Sequence, residues 1–120
     1  MKTNYVFTYG TLMKNERNHH LLNDNDYVCD AEVSNFKMFN LGRYPGIYPG
    51  NGTILGEIYL VDDQTLAHLD ELEEEGSLYI RQQVQAKSLD KTYEVFIYVY
   101  NQLEPTPNYI KSSPYSWKNR

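Results

Sequence analysis

The sequence predicts an α+β fold: an antiparallel or mixed sheet, flat or curled into a small barrel, with one main and one short helix packed on it. Three observations carry this expectation. Runs rich in β-branched and aromatic residues outnumber helical ones, and tyrosine alone occurs 12 times in 120 residues. A single segment, Asp63 to Glu75, combines apolar residues at helical spacing with a clear start and stop. Successive strand-like runs are joined by short connections of the hairpin kind, which favours antiparallel neighbours.

The elements follow in order. Tyr5-Val6-Phe7-Thr8-Tyr9 reads as a first strand, ended by Gly10. Glu16 to Leu22 is the short helix, closed by the polar cluster Asn23-Asp24-Asn25-Asp26. Tyr27 to Val33 and Phe36 to Leu41 are two strands. Gly42 to Gly52 holds four of the seven glycines and two of the five prolines, so it reads as a loop of the kind that borders binding sites. Ile54 to Val61 is a strand with Ile54, Gly56, Ile58 and Leu60 on one face. Asp62 or Asp63 caps the main helix, which runs to about Glu75 and stops at Gly76. Leu78 to Leu89 and Thr92 to Asn101 form a hairpin turned at Asp90-Lys91. In its second strand apolar and aromatic residues fall on both faces, so both are covered. From about Leu103 the chain becomes an irregular tail, with Tyr115 and Trp117 as docking points. No internal repeat divides the chain, and 1–120 reads as one domain.

Composition narrows the functional classes. The chain is 41% hydrophobic and 22% charged, as ordinary globular domains are, and its net charge is −5. That sign, with no run of Lys and Arg, disfavours a nucleic acid or an anionic bilayer as partner. No apolar run approaches the ~20 residues that span a bilayer, and the start lacks a signal peptide's apolar core, so the expected location is the cytoplasm. A single cysteine, Cys29, permits no intrachain disulfide. His19 and His20 are adjacent and His68 is distant, so metal-ligand spacing is lacking. There is neither a phosphate-binding glycine pattern nor a nucleophile elbow, and no cofactor is expected.

Two features can carry chemistry. On the main helix, at ~100° per residue, Leu66, Leu69 and Leu72 share one side, and Glu73 alone of the acids from Asp70 to Glu75 points along it. A carboxylate there is partly desolvated and its pKa rises toward the range of a general base. The other reading leaves Glu73 solvated in a frayed last turn. Tyr9-Gly10-Thr11-Leu12 ends a strand at a glycine, where successive N–H groups can converge on one oxyanion or carboxylate; an ordinary strand-ending turn has the same sequence pattern.

These features fall into an ordered set. Tyr9-Gly10-Thr11-Leu12 is followed by Arg17-Asn18-His19, Tyr44-Pro45-Gly46-Ile47 with Pro49, Gly56-Glu57-Ile58-Tyr59, Leu69-Asp70-Glu71-Leu72-Glu73 and Leu78-Tyr79-Ile80-Arg81. This order resembles the gamma-glutamylcyclotransferase-like superfamily, in particular its small AIG2-like and gamma-glutamylamine cyclotransferase branch, over roughly the first hundred residues.

The resemblance implies a small β-barrel with a cavity at its mouth. The backbone of Tyr9, Gly10, Thr11 and Leu12 would bind a gamma-glutamyl group, Glu73 would be the catalytic acid–base, and Tyr79 would line the pocket. It implies a cofactor-free reaction in which the substrate's alpha-amino group attacks its own gamma-carbonyl, releasing 5-oxoproline and an amine. The implied partner is a small gamma-glutamyl molecule, and the protein a monomer or weak dimer. One departure stands out: the family places glycine directly after the glutamate, whereas here Glu74 and Glu75 precede Gly76, which lengthens the expected helix. A non-catalytic member that binds a small ligand, or an interaction module using the tyrosine-rich strands, remains open beside the enzyme.

Overall fold

Alternation along the strands builds two cores on opposite faces of one sheet. The structure is a computed structural model and describes residues 1–103 and 113–119; the stretch of the expected tail at 104–112 lies outside the described residues. β1 (Lys2–Thr8) sends Val6 to one face and Phe7 to the other, and both are essentially inaccessible to solvent. Ile58 and Tyr59 do the same, as do Ile97 and Tyr98. Phe7, Ile58 and Ile97 belong to the larger cluster, whereas Val6, Tyr59 and Tyr98 belong to the cluster that contains the helix residues Leu66 and Leu69. The expectation that the last strand is covered on both faces therefore holds.

The sheet closes on itself in the order β1-β3-β2-β4-β5. β1 runs antiparallel to β3 (Pro45–Asp62), pairing Tyr5 with Leu60 and Phe7 with Ile58. β3 runs antiparallel to β2 (Tyr27–Asn40), from Tyr27↔Tyr59 to Asn40↔Pro45. β4 (Tyr79–Ser88) and β5 (Lys91–Tyr100) form the expected hairpin, which turns at Leu89-Asp90, one residue earlier than the sequence indicates. Two narrow seams complete the ring: β2 meets β4 at Glu32↔Lys87, and β5 lies parallel to β1 at Val6↔Phe96. The α+β class, the mixed sheet and the barrel are those the sequence predicts.

Three local expectations are corrected. Of the expected loop Gly42 to Gly52 only Gly42–Tyr44 is loop, because Pro45 to Gly52 is strand, paired with Phe36–Asn40 of β2. Its turn-forming residues mark a bulge instead: Phe36 faces both Pro49 and Gly52, so Gly50 and Asn51 are extra residues, and Asn35 opposite has a positive φ of 74°. Tyr27–Val33 and Phe36–Leu41 are accordingly one continuous strand. The short helix from Glu16 to Leu22 is reduced to a 3₁₀ turn at His19–Leu21, because the preceding residues make successive turns instead.

The main helix, α1 (Asp63–Glu73), is capped by Asp62, whose carboxylate accepts from the Thr65 N–H at 2.7 Å. It ends earlier than expected. Glu74 adopts the left-handed conformation, φ 50° and ψ 55°, that usually falls to glycine at a helix end. Leu72 also departs from expectation and is 37% exposed. Residues three apart drift by roughly −60° around a helix, so Leu72 has rotated off the face that Leu66 and Leu69 bury. Glu73 comes round between those two. The segment 113–119 docks as anticipated: Tyr115 donates to Thr53 and accepts from Leu55, and Trp117 is 1% exposed. Among the described residues no helix is long and apolar enough to cross a membrane.

Two stability outcomes follow. A Cβ on Gly56 would lie 2.2 Å from the backbone oxygen of Thr8, so Gly56→Ala is expected to cost about 3 kcal/mol or more in a denaturant titration. Glu74→Gly is expected to stabilise the protein by about 0.5–1 kcal/mol in the same titration, because glycine occupies the left-handed region without steric cost.

Candidate active site

The first strand stops at Thr8 and the next four residues cross the mouth of the barrel. Gly10 is required there by close approach: a Cβ would lie 2.6 Å from Pro45 Cγ. The loop is held from outside the cavity. The Asn18 backbone N–H donates to the Thr11 carbonyl and its side-chain amide to Thr11 Oγ1, both at 2.9 Å. His19 Nδ1 meets the Leu12 carbonyl at 2.9 Å and its Nε2 meets Asp24 at 2.7 Å. The hydrogen bond to Asp24 raises the His19 pKa above its ordinary value. Glu57, buried in β3, accepts from the Lys14 N–H and from the Tyr59 hydroxyl, both at 3.0 Å. With these contacts made, the N–H groups of Gly10, Thr11 and Leu12 donate to no acceptor among the described residues.

Tyr9, Gly10, Thr11, Leu12, Glu73 and Tyr79 all line one recess of about 30 Å³, which also touches Tyr44, Pro45 and Tyr98. The recess abuts a wider vestibule of about 340 Å³, in the size range of small-ligand sites, which shares Thr11, Tyr44, Glu73 and Tyr79 with it and adds Arg17, Asn18, Leu72, Glu74 and Leu78. The hydroxyls of the inner tyrosines are committed to backbone. Tyr9 donates to the Tyr98 carbonyl and Tyr79 to the Pro45 carbonyl, each at 2.6 Å.

Glu73 stands alone in this setting. Its carboxylate has no hydrogen-bond or ion-pair partner among the described residues, and burial pushes its pKa up to about 7. Tyr9, Tyr79 and Tyr98 are shifted in turn, burial holding each phenol above its ordinary value with the Glu73 charge adding to the rise. All three stay neutral near pH 7. The cavity is thus a ring of neutral phenols and unengaged N–H groups facing one carboxylate that titrates near neutrality. Such a site can exchange a proton and accommodate a developing oxyanion.

Several residues that shape the site carry no assigned role in the sequence reading: Asn18, His19, Pro45, Glu57, Asp70, Arg81 and Tyr98. Most of them lie within the ordered motifs, which is the signal that could have found them. Tyr98 has no such signal, because it looks like any other strand tyrosine.

Raising a carboxyl's folded pKa means that the folded state holds its proton longer than the unfolded chain. Stability contributed by protonated Glu73 is full below about 4.5 and is lost as pH rises to about 7. Glu73→Gln removes this penalty, so at about pH 8 the variant is expected to be more stable by about 1–3 kcal/mol, and at about pH 4 equal to wild type, by thermal or urea denaturation.

Comparison with known proteins agrees with this architecture. The Escherichia coli K12 gamma-glutamylcyclotransferase family protein YtfP is 41% identical over 80 residues, covering 67% of this chain and 71% of that protein. The Danio rerio gamma-glutamylaminecyclotransferase A is 33% identical over 114 residues, covering 83% of this chain and 71% of that protein. The crystal structure of an AIG2-like protein from Mus musculus superposes with a TM-score of 0.79 at 28% identity, covering 88% of this chain and 82% of that one. Residues 6–119, nearly the whole chain, match the sequence model of one family, and the chain belongs to that family, gamma-glutamyl cyclotransferase, AIG2-like.

Proposed function

We propose that the protein is a gamma-glutamyl cyclotransferase that releases 5-oxoproline and an amine from a gamma-glutamyl amine or amide, with Glu73 as its acid–base. The observation that carries this reading is the partnerless Glu73 carboxylate, with its pKa at about 7, across one cavity from the unengaged N–H groups of Gly10, Thr11 and Leu12.

The substrate's alpha-ammonium gives a proton to the Glu73 carboxylate, and the freed amine nitrogen attacks the gamma-carbonyl carbon of the same molecule. A carbon–nitrogen bond forms and closes a five-membered ring, while the carbonyl oxygen becomes an oxyanion accepting from the loop N–H groups. Collapse of the tetrahedral species breaks the bond to the departing nitrogen, which takes the proton from Glu73. The freed carboxylate then accepts the second proton of the ring nitrogen, leaving the lactam N–H, and passes it to the released amine, which departs as an ammonium. Protons balance over the cycle, and no metal or organic cofactor enters the step. Because nucleophile and electrophile belong to one molecule, the walls formed by Tyr9, Tyr44 and Tyr79 act by holding it folded. The leaving half extends into the vestibule. The name of the zebrafish relative supports a gamma-glutamyl amine as substrate.

The narrow recess favours a second reading, a member that binds a gamma-glutamyl ligand without turning it over. 5-Oxoproline release from a panel of gamma-glutamyl amines and dipeptides separates the two. Wild type is expected to turn over at least one panel member, with Glu73→Gln reduced by about 10²–10⁴-fold. Because the base is the ionised form, wild-type activity is expected to fall as pH drops through about 7. A ligand-induced rise in melting temperature with no 5-oxoproline from wild type would establish the second reading.

A further inference from the structure

The vestibule and recess account for Glu73, but the motifs around it contain charged residues that the chemistry above does not use, Asp70 and Arg81 among them. The structure joins them. Asp70 sits three residues before Glu73 on α1, hence on a neighbouring part of the same face. Its Oδ2 accepts from Arg81 Nη1 of β4 at 2.5 Å, and its Oδ1 accepts from the Tyr98 hydroxyl of β5 at 2.7 Å. Each side chain of the ion pair is 28% exposed, so the pair is shielded more than a surface one. Arg81 is itself held twice more. Its guanidinium lies over the Phe96 ring at 4.7 Å, and its backbone N–H donates to Glu75 Oε2 at 3.2 Å. The Tyr98 carbonyl in turn accepts the Tyr9 hydroxyl, so the chain of contacts runs from the helix through β5 to the residue that opens the site loop.

The Glu73 side chain has no tether among the described residues, and the helix ends at it. The N–H groups of Glu74 and Glu75 cap the carbonyls of Glu71 and Asp70, which fastens the backbone of the last turn but not its side chains. Last turns fray unless something fastens them, and a frayed turn would let this carboxylate swing into water. We propose that Asp70, clamped between Arg81 and the Tyr98 hydroxyl, is the positioning residue that keeps the last turn of α1 wound and the Glu73 carboxylate aimed into the cavity. The clamp replaces a direct partner. A cation bound to Glu73 itself would hold the carboxylate in place but depress its basicity, whereas a clamp one turn earlier holds it without touching its charge. The groups that face Glu73 are the tyrosines at 9, 44, 79 and 98, with Arg17 at the outer wall and Glu74 beside it. The clamp rests on the assignment of Glu73 as the acid–base for its catalytic meaning, but its effect on Glu73 can be read without turnover.

The experiment is a carbon-13 carboxyl NMR titration of Glu73 in wild type, Asp70→Asn and Tyr98→Phe, with steady-state kinetics alongside. Asp70→Asn is expected to move the Glu73 midpoint down by about one unit or more toward the ordinary carboxylate value, as the turn opens to water. Tyr98→Phe keeps the ring and both charges of the Asp70–Arg81 pair, and is expected to shift the midpoint the same way by a smaller amount. On a turned-over substrate, Asp70→Asn is expected to lower kcat about 10–100-fold with KM within about threefold, the pattern of a misplaced catalytic group. A midpoint unmoved in both variants overturns the proposal. So does a shift in Asp70→Asn alone, which would be the effect of a removed charge. If wild type turns over nothing, the proposed reaction fails while the titration still decides the clamp.

Discussion

A half-buried carboxylate with no ion-pair partner among the described residues is the constraint on which the rest of this structure depends. Ionising Glu73 costs stability, since burial opposes its charge and no ion pair among the described residues offsets that cost. Such a group stays in place only if the elements around it are held by contacts elsewhere. The fold supplies these from every side: Leu66 and Leu69 bury the helix face against the outer core, and Asp62 fastens its start. The inner tyrosines give their hydroxyls to backbone carbonyls rather than to Glu73. Keeping them off the carboxylate leaves its proton available for exchange near neutral pH, which a hydrogen-bonded carboxylate would resist.

The opposite wall obeys a related rule. Backbone N–H groups face a cavity unengaged only when the carbonyls and side chains of the same loop are satisfied behind it. Asn18 and His19 do this from one segment, and Glu57 holds the adjoining Lys14 N–H from β3, so the loop of Tyr9 to Leu12 is anchored from two segments. Gly10 and Pro45 complete the arrangement by contact, since the absence of a Cβ lets the proline ring close over the loop. The tail participates as well: Lys118 donates to the Lys14 carbonyl, and Trp117 fills the barrel core. A segment far away in sequence thus supports Lys14, two residues beyond the site loop.

Local patterns were reliable wherever one element's own period decided the outcome. The N-cap, the burial of Leu66 and Leu69 and the alternation in β5 are all fixed by neighbours within a few residues. Glu73 was legible for the same reason, because helical geometry alone puts it between Leu66 and Leu69. Gly42 to Gly52 misled because glycine and proline mark both loops and bulges, and only pairing with β2 distinguishes them. Leu72 misled because the apolar count did not weigh the drift of residues three apart in a helix that ends one residue later. Gly56 reads as an ordinary strand glycine until Thr8 is brought against it from the adjoining strand.

What the sequence determined by itself was the α+β class, the extent of the helix start, the hairpin, the ordered motifs and the acid most apt to be buried. These are properties of residue period and residue type, which act over a turn or a strand. Only the tertiary structure decided that the sheet closes, that Pro45 reaches Gly10, and that Asp70 finds Arg81 and Tyr98. It also decided which groups surround Glu73, and therefore its proton affinity. A pKa is set by every dipole, charge and solvent molecule within a few ångströms, and those neighbours come from four separate stretches of chain. Closure of the barrel is what brings the four together.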